Sequence, residues 1–336
     1  IQDIQKLYAM LPQAGAILKI QEDKSVKTVF LQGLVASAAP MFFASIAERW
    51  KTTTVFVLND NDEAGYFYND LKTIAMPVDG EGKVAEVLFF PSSYRRAVKY
   101  GQRDAGNEIL RTEVLTRLSA LASDTDNALP LYIVTEPSAL SELVVSKKQL
   151  DERRLTLTVD QHIDIVEVEK TLRSFGFTET DYVYEPGQFA VRGSIIDVYS
   201  FSNELPFRID FFGDDIETIR SFEVETQLST ERLTRVEIVP ELTTMSEEKV
   251  PFLQFLPEDA VLAFKDFLYV RDAIDNIYQE GFTNQALTEK LEGKTELEQR
   301  ELEQAYRKEG QLVPASRWMN DALDFRRIEF GINHSS

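Results

Sequence analysis

The stretch Tyr184-Glu-Pro-Gly-Gln-Phe-Ala-Val-Arg-Gly-Ser-Ile-Ile-Asp-Val-Tyr199 has the residue alternation of a β-strand. Successive side chains of a strand point to opposite faces of the sheet. Phe189 and Val191 therefore share one face. The other face carries small or charged side chains, which are those of Ala190, Arg192 and Ser194. This pattern predicts that Arg192 points to solvent while its neighbours enter the core.

An exposed arginine beside small side chains, followed by a glycine that kinks the strand, is well placed to bind a partner's carboxylate with two parallel hydrogen bonds. Arg192 is thus a candidate contact residue. The alternative, given equal weight, is an ion pair between Arg192 and a nearby Asp or Glu of the same chain. Phe189 and Tyr199 are expected in the core more than at a contact, because aromatic side chains are usually buried.

The segments on either side of this stretch predict an α+β domain. Upstream, Val168, Leu172 and Phe175 lie on one face of a helix that ends at Gly176, a residue typical of helix C-termini. Downstream, residues 207–212 alternate apolar and polar side chains, Gly213-Asp214 forms a tight turn, and residues 216–222 return as the partner strand.

Acidic residues occur in two clusters that invite a metal or catalytic interpretation. Asp210, Asp214, Asp215 and Glu217 surround the hairpin turn, and Asp60, Asp62 and Glu63 follow an apolar strand. Turns favour Asp for conformational reasons, and Asp at the start of a helix caps its free N–H groups. We prefer these two structural interpretations to a cation site or a carboxylate pair.

The first 145 residues alternate strand and helix patterns. Apolar runs of strand length occur at 29–34, 54–58, 87–90 and 131–135, and helical patterns occur at 40–50, 62–74 and 106–122. This order predicts an α/β domain with a largely parallel sheet. After Pro240, residues 260–264 are a predicted buried strand and residues 283–311 a solvated helical segment. The predicted domains are 1–146, 147–238 and 239–336.

A nucleotide-binding α/β domain carries a glycine-rich loop ending in Gly-Lys-Ser/Thr after its first strand, because the loop's N–H groups and lysine hold the phosphates. This chain has Gly33-Leu-Val-Ala-Ser-Ala-Ala-Pro-Met41 at that place. The lysine and the second glycine are missing, and Pro40 lacks an N–H group. The sequence therefore predicts no cofactor and no ATP hydrolysis.

Composition excludes several other functions. The 336 residues include no Cys and two His, which leaves almost no material for a zinc site or a Ser-His-Asp triad. The net charge of −20 opposes extended DNA binding by this chain alone, since such binding depends on Lys and Arg. No long uncharged apolar run or signal peptide is present, so we expect a cytoplasmic protein without membrane contact.

Several motifs in a fixed order resemble a known family. The run 187–197, then Leu205-Pro-Phe-Arg-Ile-Asp-Phe-Phe-Gly-Asp-Asp-Ile-Glu217, Arg220-Ser-Phe222 and Thr226-Gln227 are similar to the UvrA-binding domain shared by UvrB and the transcription-repair coupling factors. Phe90-Pro-Ser-Ser93 and Val134-Thr-Glu-Pro-Ser-Ala-Leu140 resemble the coupling factors more closely than UvrB. The resemblance covers nearly the whole chain.

The resemblance implies a degenerate P-loop, helicase-like α/β domain with an inserted α+β UvrA-binding domain. It implies a non-catalytic docking module of transcription-coupled nucleotide excision repair that recruits UvrA. The implied contact residues are Arg192, which matches the family's arginine, with Ala190 and Thr178 at positions where the family often has a basic residue, and Phe189 and Ser194 beside them.

The resemblance also implies a longer parent protein, an ATP-dependent DNA translocase. Other parent domains would then be partners, while RNA polymerase and DNA would be reached only through parts absent from these residues. Two alternatives remain open. One is a residual nucleotide-dependent DNA-remodelling enzyme of the UvrB type. The other is an intramolecular regulator, in which another part of the parent covers the same surface until it is needed.

Overall fold

The computed structural model describes residues 2–76, 82–93, 105–121, 129–242, 248–280, 292–299 and 312–331. The chain forms two compact units. Unit 1 comprises residues 1–107, 120–144 and 250–336, and unit 2 comprises residues 108–119 and 145–249. Unit 2 is therefore encoded within the sequence of unit 1. The division at 146/147 and 238/239 stays a prediction.

The first half of the chain contributes α1 (Gln2–Ala9), α2 (Pro12–Glu22), β1 (Thr28–Phe30), α3 (Ala38–Trp50), β2 (Thr54–Val57), α4 (Asn61–Ala75), β3 (Glu86–Phe90), α5 (Ala105–Ala120), β4 (Leu131–Thr135), α6 (Pro137–Ser141), β5 (Val144–Val145), α7 (Lys147–Glu152) and β6 (Leu155–Thr158). The second half contributes α8 (Ile165–Ser174), β7 (Thr178–Glu179), β8 (Gln188–Arg192), β9 (Ile195–Val198), β10 (Phe207–Phe212), β11 (Asp215–Phe222), β12 (Ser229–Leu233), β13 (Arg235–Ile238), β14 (Lys249–Val250), a 3₁₀ helix (Phe252–Phe255), β15 (Val261–Phe264), α9 (Phe267–Glu280), α10 (Ala315–Ala322) and β16 (Arg326–Glu329).

Unit 1 contains a six-stranded sheet in the order β1-β16-β15-β2-β4-β3. Every neighbouring pair in it is parallel, which confirms the predicted α/β class. Strands β2, β4 and β15 are buried throughout, as expected for parallel strands covered on both faces. The predicted strand at 260–264 is thus confirmed as β15. It lies between β16 and β2.

One predicted strand of unit 1 was too long. We expected residues 29–34 to be extended, but β1 ends at Phe30. Gly33 has a φ of +84°, a left-handed conformation that a glycine adopts without strain. The chain therefore leaves the sheet before Gly33 and passes through a loop to α3.

Unit 2 contains a second six-stranded sheet, in the order β12-β11-β10-β9-β8-β7. Its neighbours are antiparallel except β7 and β8, which run parallel. One sheet face shares a core cluster with Val168 and Leu172 of α8. That helix ends as predicted, with Gly176 at a φ of +82°. Strands β6 and β13 form a separate antiparallel pair.

Two tight hairpins determine the register of the unit 2 sheet. Gly213-Asp214 joins β10 to β11 as predicted, with a φ of +62° at Gly213. Gly193-Ser194 joins β8 to β9 in the same way. Ser194 therefore does not continue the strand face of Ala190 and Arg192, and that expectation was wrong, because the positive φ of Gly193 turns the chain.

The predicted charged helical segment at 283–311 falls largely outside the described residues, which include only 292–299 of it. Among the helices that are described, none combines the length and the apolar character needed to cross a bilayer.

Candidate functional site

A buried carboxylate, that of Asp197, lies at the centre of the unit 2 sheet. The register sets Asp197 on β9 opposite both Ala190 on β8 and Arg208 on β10. These side chains share the face opposite the α8 core, because their neighbours Val191, Ile196 and Ile209 belong to that core. Asp197 is fully buried, so its charge requires a partner within the fold.

Two arginines neutralise the Asp197 carboxylate. Arg208 donates from Nε to Asp197 Oδ1 at 2.8 Å and from Nη2 to Oδ2 at 3.0 Å, which is a bidentate pair. Arg192 donates from Nη2 to the same Oδ2. The contact with Asp197 raises the pKa of Arg208 above its ordinary value. Asp197 thus holds two guanidinium groups on one sheet face.

Arg192 is only partly exposed, which corrects the expectation that it points to solvent. Its side chain is 37% exposed, and its Nη1 donates to the Asp181 carbonyl at 3.2 Å. The guanidinium carbon lies 5.3 Å from the centre of the Tyr182 ring, a cation–π distance. The chain turns back on itself at Gly193, and this brings Asp197 within reach of Arg192.

The other predicted contact residues lie in different environments. Phe189 and Ala190 are buried, the first in the α8 core and the second in a small cluster with Val183, Tyr199 and Phe222 on the opposite face. Ser194 is exposed in its turn and donates to Asp210 Oδ1 at 3.3 Å. Of these predicted contact residues, Phe189 and Ala190 are therefore buried, whereas Arg192 and Ser194 are partly or fully exposed.

Thr178 is exposed on the edge strand β7, where it pairs with Gln188. It also lines a cavity of about 470 Å³ within unit 2, together with Phe175, Pro186, Phe201 and Pro240. Charged and polar side chains, among them Arg153, Glu185 and Glu241, also line this cavity. Thr178 is thus accessible, at the opposite edge of the sheet from β12.

Reasoning from sequence missed Asp197, Arg208 and the neighbouring tyrosines. Tyr182, which lies against Arg192, is 50% exposed, and Tyr184, whose ring neighbours that of Tyr182, is 61% exposed. Tyrosine and arginine are both enriched at protein interfaces. The pairing of Ala190 with Asp197 could have been found by treating Gly193-Ser194 as a two-residue turn.

The phosphate-loop position of unit 1 has an acidic neighbour. Ser37 precedes α3, and its hydroxyl donates to Asp70 Oδ2 at 2.9 Å. A carboxylate at the start of a helix repels the phosphate that such a site would hold. Pro40 is buried within the first turn of α3, which therefore lacks one N–H donor.

The predicted capping role of Asp60 is confirmed, since its side chain accepts a hydrogen bond from the Glu63 N–H at 2.9 Å. Glu63 in turn pairs with Lys265 at 2.5 Å. At the unit 2 hairpin, Asp215 lies 2.9 Å from His162 Nδ1, and this contact raises the pKa of His162. The described part of the chain contains no group of three or more His, Asp or Glu side chains that could hold a metal ion.

Two buried carboxylates of unit 1 lie at the two ends of α6, Glu136 before it and Glu142 after it. Glu136 caps α6 by accepting hydrogen bonds from the Ser138 and Ala139 N–H groups at 2.7 and 3.0 Å. Burial raises the pKa of Glu136 to about 7. Glu142 accepts from the hydroxyls of Ser92 and Ser93, both at 2.6 Å. These hydrogen bonds join neighbouring parts of unit 1.

Comparison with known proteins gives a consistent result. Residues 155–243 match the model of the UvrB interaction domain. The chain is 24% identical to the transcription-repair-coupling factor of Bacillus subtilis over 244 residues, which are 72% of this chain and 20% of that protein. It is 30% identical to that of Myxococcus xanthus over 231 residues, or 68% of this chain and 18% of that protein.

The corresponding protein of Haemophilus influenzae is 28% identical over 210 residues, which are 62% of this chain and 17% of that protein. The chain thus spans about a fifth of the length of these curated relatives. These similarities confirm the resemblance inferred from the sequence motifs. The matched domain is the part of unit 2 that contains Arg192, Asp197 and Arg208.

Proposed function

We propose that this chain, which carries a UvrB interaction domain and is similar to transcription-repair-coupling factors, is a docking module that binds UvrA during transcription-coupled DNA repair. The observation that carries the proposal is the guanidinium group of Arg192. It is fixed by Asp197 inside the matched domain, yet it is still 37% exposed.

The geometry around Arg192 suits recognition of a carboxylate. A guanidinium group has five N–H donors, and the contacts with Asp197 and the Asp181 carbonyl use two of them. The remaining donors are free to approach a carboxylate of UvrA. Because Asp197 and the Tyr182 ring already hold the side chain, binding costs less side-chain entropy than for a free arginine.

The neighbouring residues have separate parts in this proposal. Phe189 and Ala190 are buried, so they support β8 from its two faces without touching UvrA. Ser194 and Thr178 are exposed and would form the polar rim of the contact. Tyr182 adds exposed aromatic surface beside Arg192, and Tyr184 extends it from the neighbouring position.

The proposed function includes no nucleotide hydrolysis by these residues. The loop before α3 lacks the lysine that would meet the outer phosphates, and Asp70 lies against the Ser37 hydroxyl where a phosphate oxygen would be bound. We assign contacts with RNA polymerase and with DNA to other parts of a longer parent protein. An ATP-dependent remodelling activity would instead require tight ATP binding by this chain.

The test is binding of purified UvrA to the 336-residue chain and to Arg192→Ala by calorimetry. Loss of a charge-assisted contact is expected to weaken binding by roughly 1–3 kcal/mol. Arg271→Ala is the matched control, since Arg271 is 40% exposed and pairs with Asp272 in unit 1. Circular dichroism shows whether each variant remains folded.

The possible results separate the site from the function. Wild-type binding that Arg192→Ala weakens and Arg271→Ala does not would support both. Binding that is indifferent to Arg192 would keep the function and move the site. Absence of wild-type binding would refute direct recruitment by this module. Calorimetric titration with ATP provides an independent check, and micromolar binding of ATP would contradict the non-catalytic assignment.

A further inference from the structure

Three arginines lie side by side across the unit 2 sheet. The register pairs Arg208 on β10 with Arg220 on β11, and Arg220 with Arg232 on β12. Asp197 continues the same row on β9, next to Arg208. All four side chains share the face opposite the α8 core, because the adjacent row, which includes Ile209, Ile219 and Leu233, packs into that core.

Only one end of this row is neutralised. Asp197 pairs with Arg208, as well as with Arg192 from the next row. Within the described ranges, no hydrogen bond or ion pair joins the side chain of Arg220 or Arg232 to another residue. Arg232 is exposed and Arg220 is half-buried. The Arg220 Nε atom is buried and lacks a hydrogen-bond acceptor.

Such an arrangement is unfavourable in the isolated chain. Like charges directly opposite each other on neighbouring strands destabilise a sheet, and a buried N–H group without an acceptor adds a further cost. A carboxylate placed over Arg220 and Arg232 would relieve the first effect, since its negative charge would offset the repulsion between the two guanidinium groups. The row therefore favours binding of an acidic group.

We propose that Arg220 and Arg232 form a second contact point of the docking surface and bind an acidic segment of UvrA. This inference rests on the proposed function and places the uncompensated positive charge of the surface on β11 and β12 instead of at Arg192. Asp197 already offsets part of the charge of Arg192. The two contact points are Arg192 at one end of the face and the Arg220–Arg232 pair at the other.

The distance between these points fits a single partner. Strands β8 and β12 are separated by four strand spacings of about 4.8 Å, which is roughly 19 Å. A standard protein interface covers about 800 Å² on each partner, equivalent to a disc roughly 32 Å across. One surface of UvrA can therefore cover both points at once.

An acidic protein segment suits this row better than nucleic acid. Phosphate backbones bind to extended basic surfaces and are repelled by a chain of net charge −20. The row instead offers one small basic region on a sheet face whose other end carries Arg192 and the exposed Tyr182, residue types that are common at protein interfaces. Duplex DNA is the alternative ligand that the experiment tests.

The experiment measures UvrA affinity for the wild-type chain, Arg192→Ala, Arg232→Gln and Arg232→Glu. Lys170→Glu is the matched control for the charge reversal, because Lys170 is exposed on α8, and the α8 core lies on the opposite side of the sheet. We expect Arg232→Gln to weaken binding about threefold and Arg232→Glu at least about tenfold, since like charges across an interface repel. Lys170→Glu should change affinity less than twofold.

Thermal unfolding separates docking from folding. Arg232→Gln removes a repulsion and should leave the melting temperature unchanged or slightly higher, whereas a structural arginine would lower it. Equal weakening by Arg232→Glu and Lys170→Glu would overturn the inference, as would full affinity in Arg232→Glu. If Arg192→Ala alone weakens binding, the inference fails and the proposed function stands.

If the wild-type chain does not bind UvrA, the proposed function fails first. Binding of a 20-base-pair duplex that Arg232→Glu abolishes would reassign the row to nucleic acid and overturn the inference as stated. Each result therefore identifies which of the two proposals is wrong.

Discussion

Replacing Asp197 with Asn tests whether one buried carboxylate stabilises the docking face, the β8–β12 sheet face opposite the α8 core that carries Arg192, Arg208, Arg220 and Arg232. The carboxylate accepts hydrogen bonds from Arg192 and, at 2.8 and 3.0 Å, from Arg208. Asparagine keeps the shape of the side chain but removes its charge. It also replaces one acceptor oxygen with an N–H₂ group, which would face a guanidinium donor.

The expected loss of stability is about 3 kcal/mol. Removing one partner of a buried ion pair costs roughly 3–5 kcal/mol, because it leaves a charge without compensation. The Arg208 side chain is 13% exposed and that of Arg192 is 37% exposed, so water compensates part of the loss and the lower end of the range applies. Repulsion between Arg208 and the opposite Arg220 acts in the same direction.

Native-state hydrogen exchange measures this loss locally. A loss of 3 kcal/mol corresponds to about 100-fold faster exchange of the slowest amides in β9 and β10. Amides of β2 and β4 in unit 1 serve as an internal reference. Asp210→Asn is the matched control, because among the described residues Asp210, on the same sheet face, has a single side-chain contact, a 3.3 Å hydrogen bond from Ser194. Less than about fivefold acceleration in Asp197→Asn would refute the central role of this carboxylate.

Three further changes have defined outcomes. Glu136→Gln should flatten the pH dependence of stability. Between the ordinary pKa of 4.5 and about 7 the Glu136 carboxyl ionises in the unfolded state but not in the folded state, so the wild type loses up to about 3 kcal/mol of stability as pH rises. Urea titrations from pH 4.5 to 8 measure this loss, and a difference in stability between wild type and Glu136→Gln that stays constant with pH would contradict it. Asp215→Asn should lower the pKa of His162 towards its ordinary value in an NMR titration, and an unchanged midpoint would contradict the 2.9 Å contact. Gly331→Ala would set a Cβ atom 2.5 Å from the Lys265 carbonyl oxygen and should cost about 1–3 kcal/mol of stability, measured by tryptophan-monitored unfolding. Wild-type stability in this variant would show that Gly331 moves away from Lys265 without cost.

Local sequence patterns predicted those elements of the fold that depend on local chemistry. Strands β2 and β4 are continuous apolar runs, Asp60 caps α4, and Gly213-Asp214 makes a hairpin turn. Strand β16, which the local patterns did not predict, shows their limit. Its sequence, Arg326-Arg-Ile-Glu329, is mostly charged, yet it lies between β1 and β15.

The position of β16 depends on a contact that is distant in sequence. Glu329 is only 5% exposed, and its carboxylate accepts a hydrogen bond from the Phe267 N–H at 3.2 Å. A charged residue in such a place is stable because another element satisfies it. Neither periodicity nor composition indicates that partner in advance.

The site was predictable to a similar extent. Strand alternation correctly separated Phe189 and Val191 from Ala190 and Arg192. It could not show that Arg192 already has a partner, because Asp197 approaches it only after the turn at Gly193. The arginine row is harder still to predict. The register of β11 and β12 shifts between Ser221 and Phe222, so counting residues back from the turn between these strands does not pair Arg220 with Arg232.

Charge on the docking face bears on how binding would be oriented. Six charged side chains on the β8–β12 face opposite the α8 core, which are those of Arg192, Arg208, Arg220, Arg232, Asp197 and Asp210, sum to +2, while the whole chain carries −20. At physiological ionic strength charges interact over about 8 Å, so an acidic segment near this face meets mainly the local +2. Elsewhere it meets a repulsive surface. Electrostatics would therefore contribute to the specificity and rate of docking more than to its total free energy.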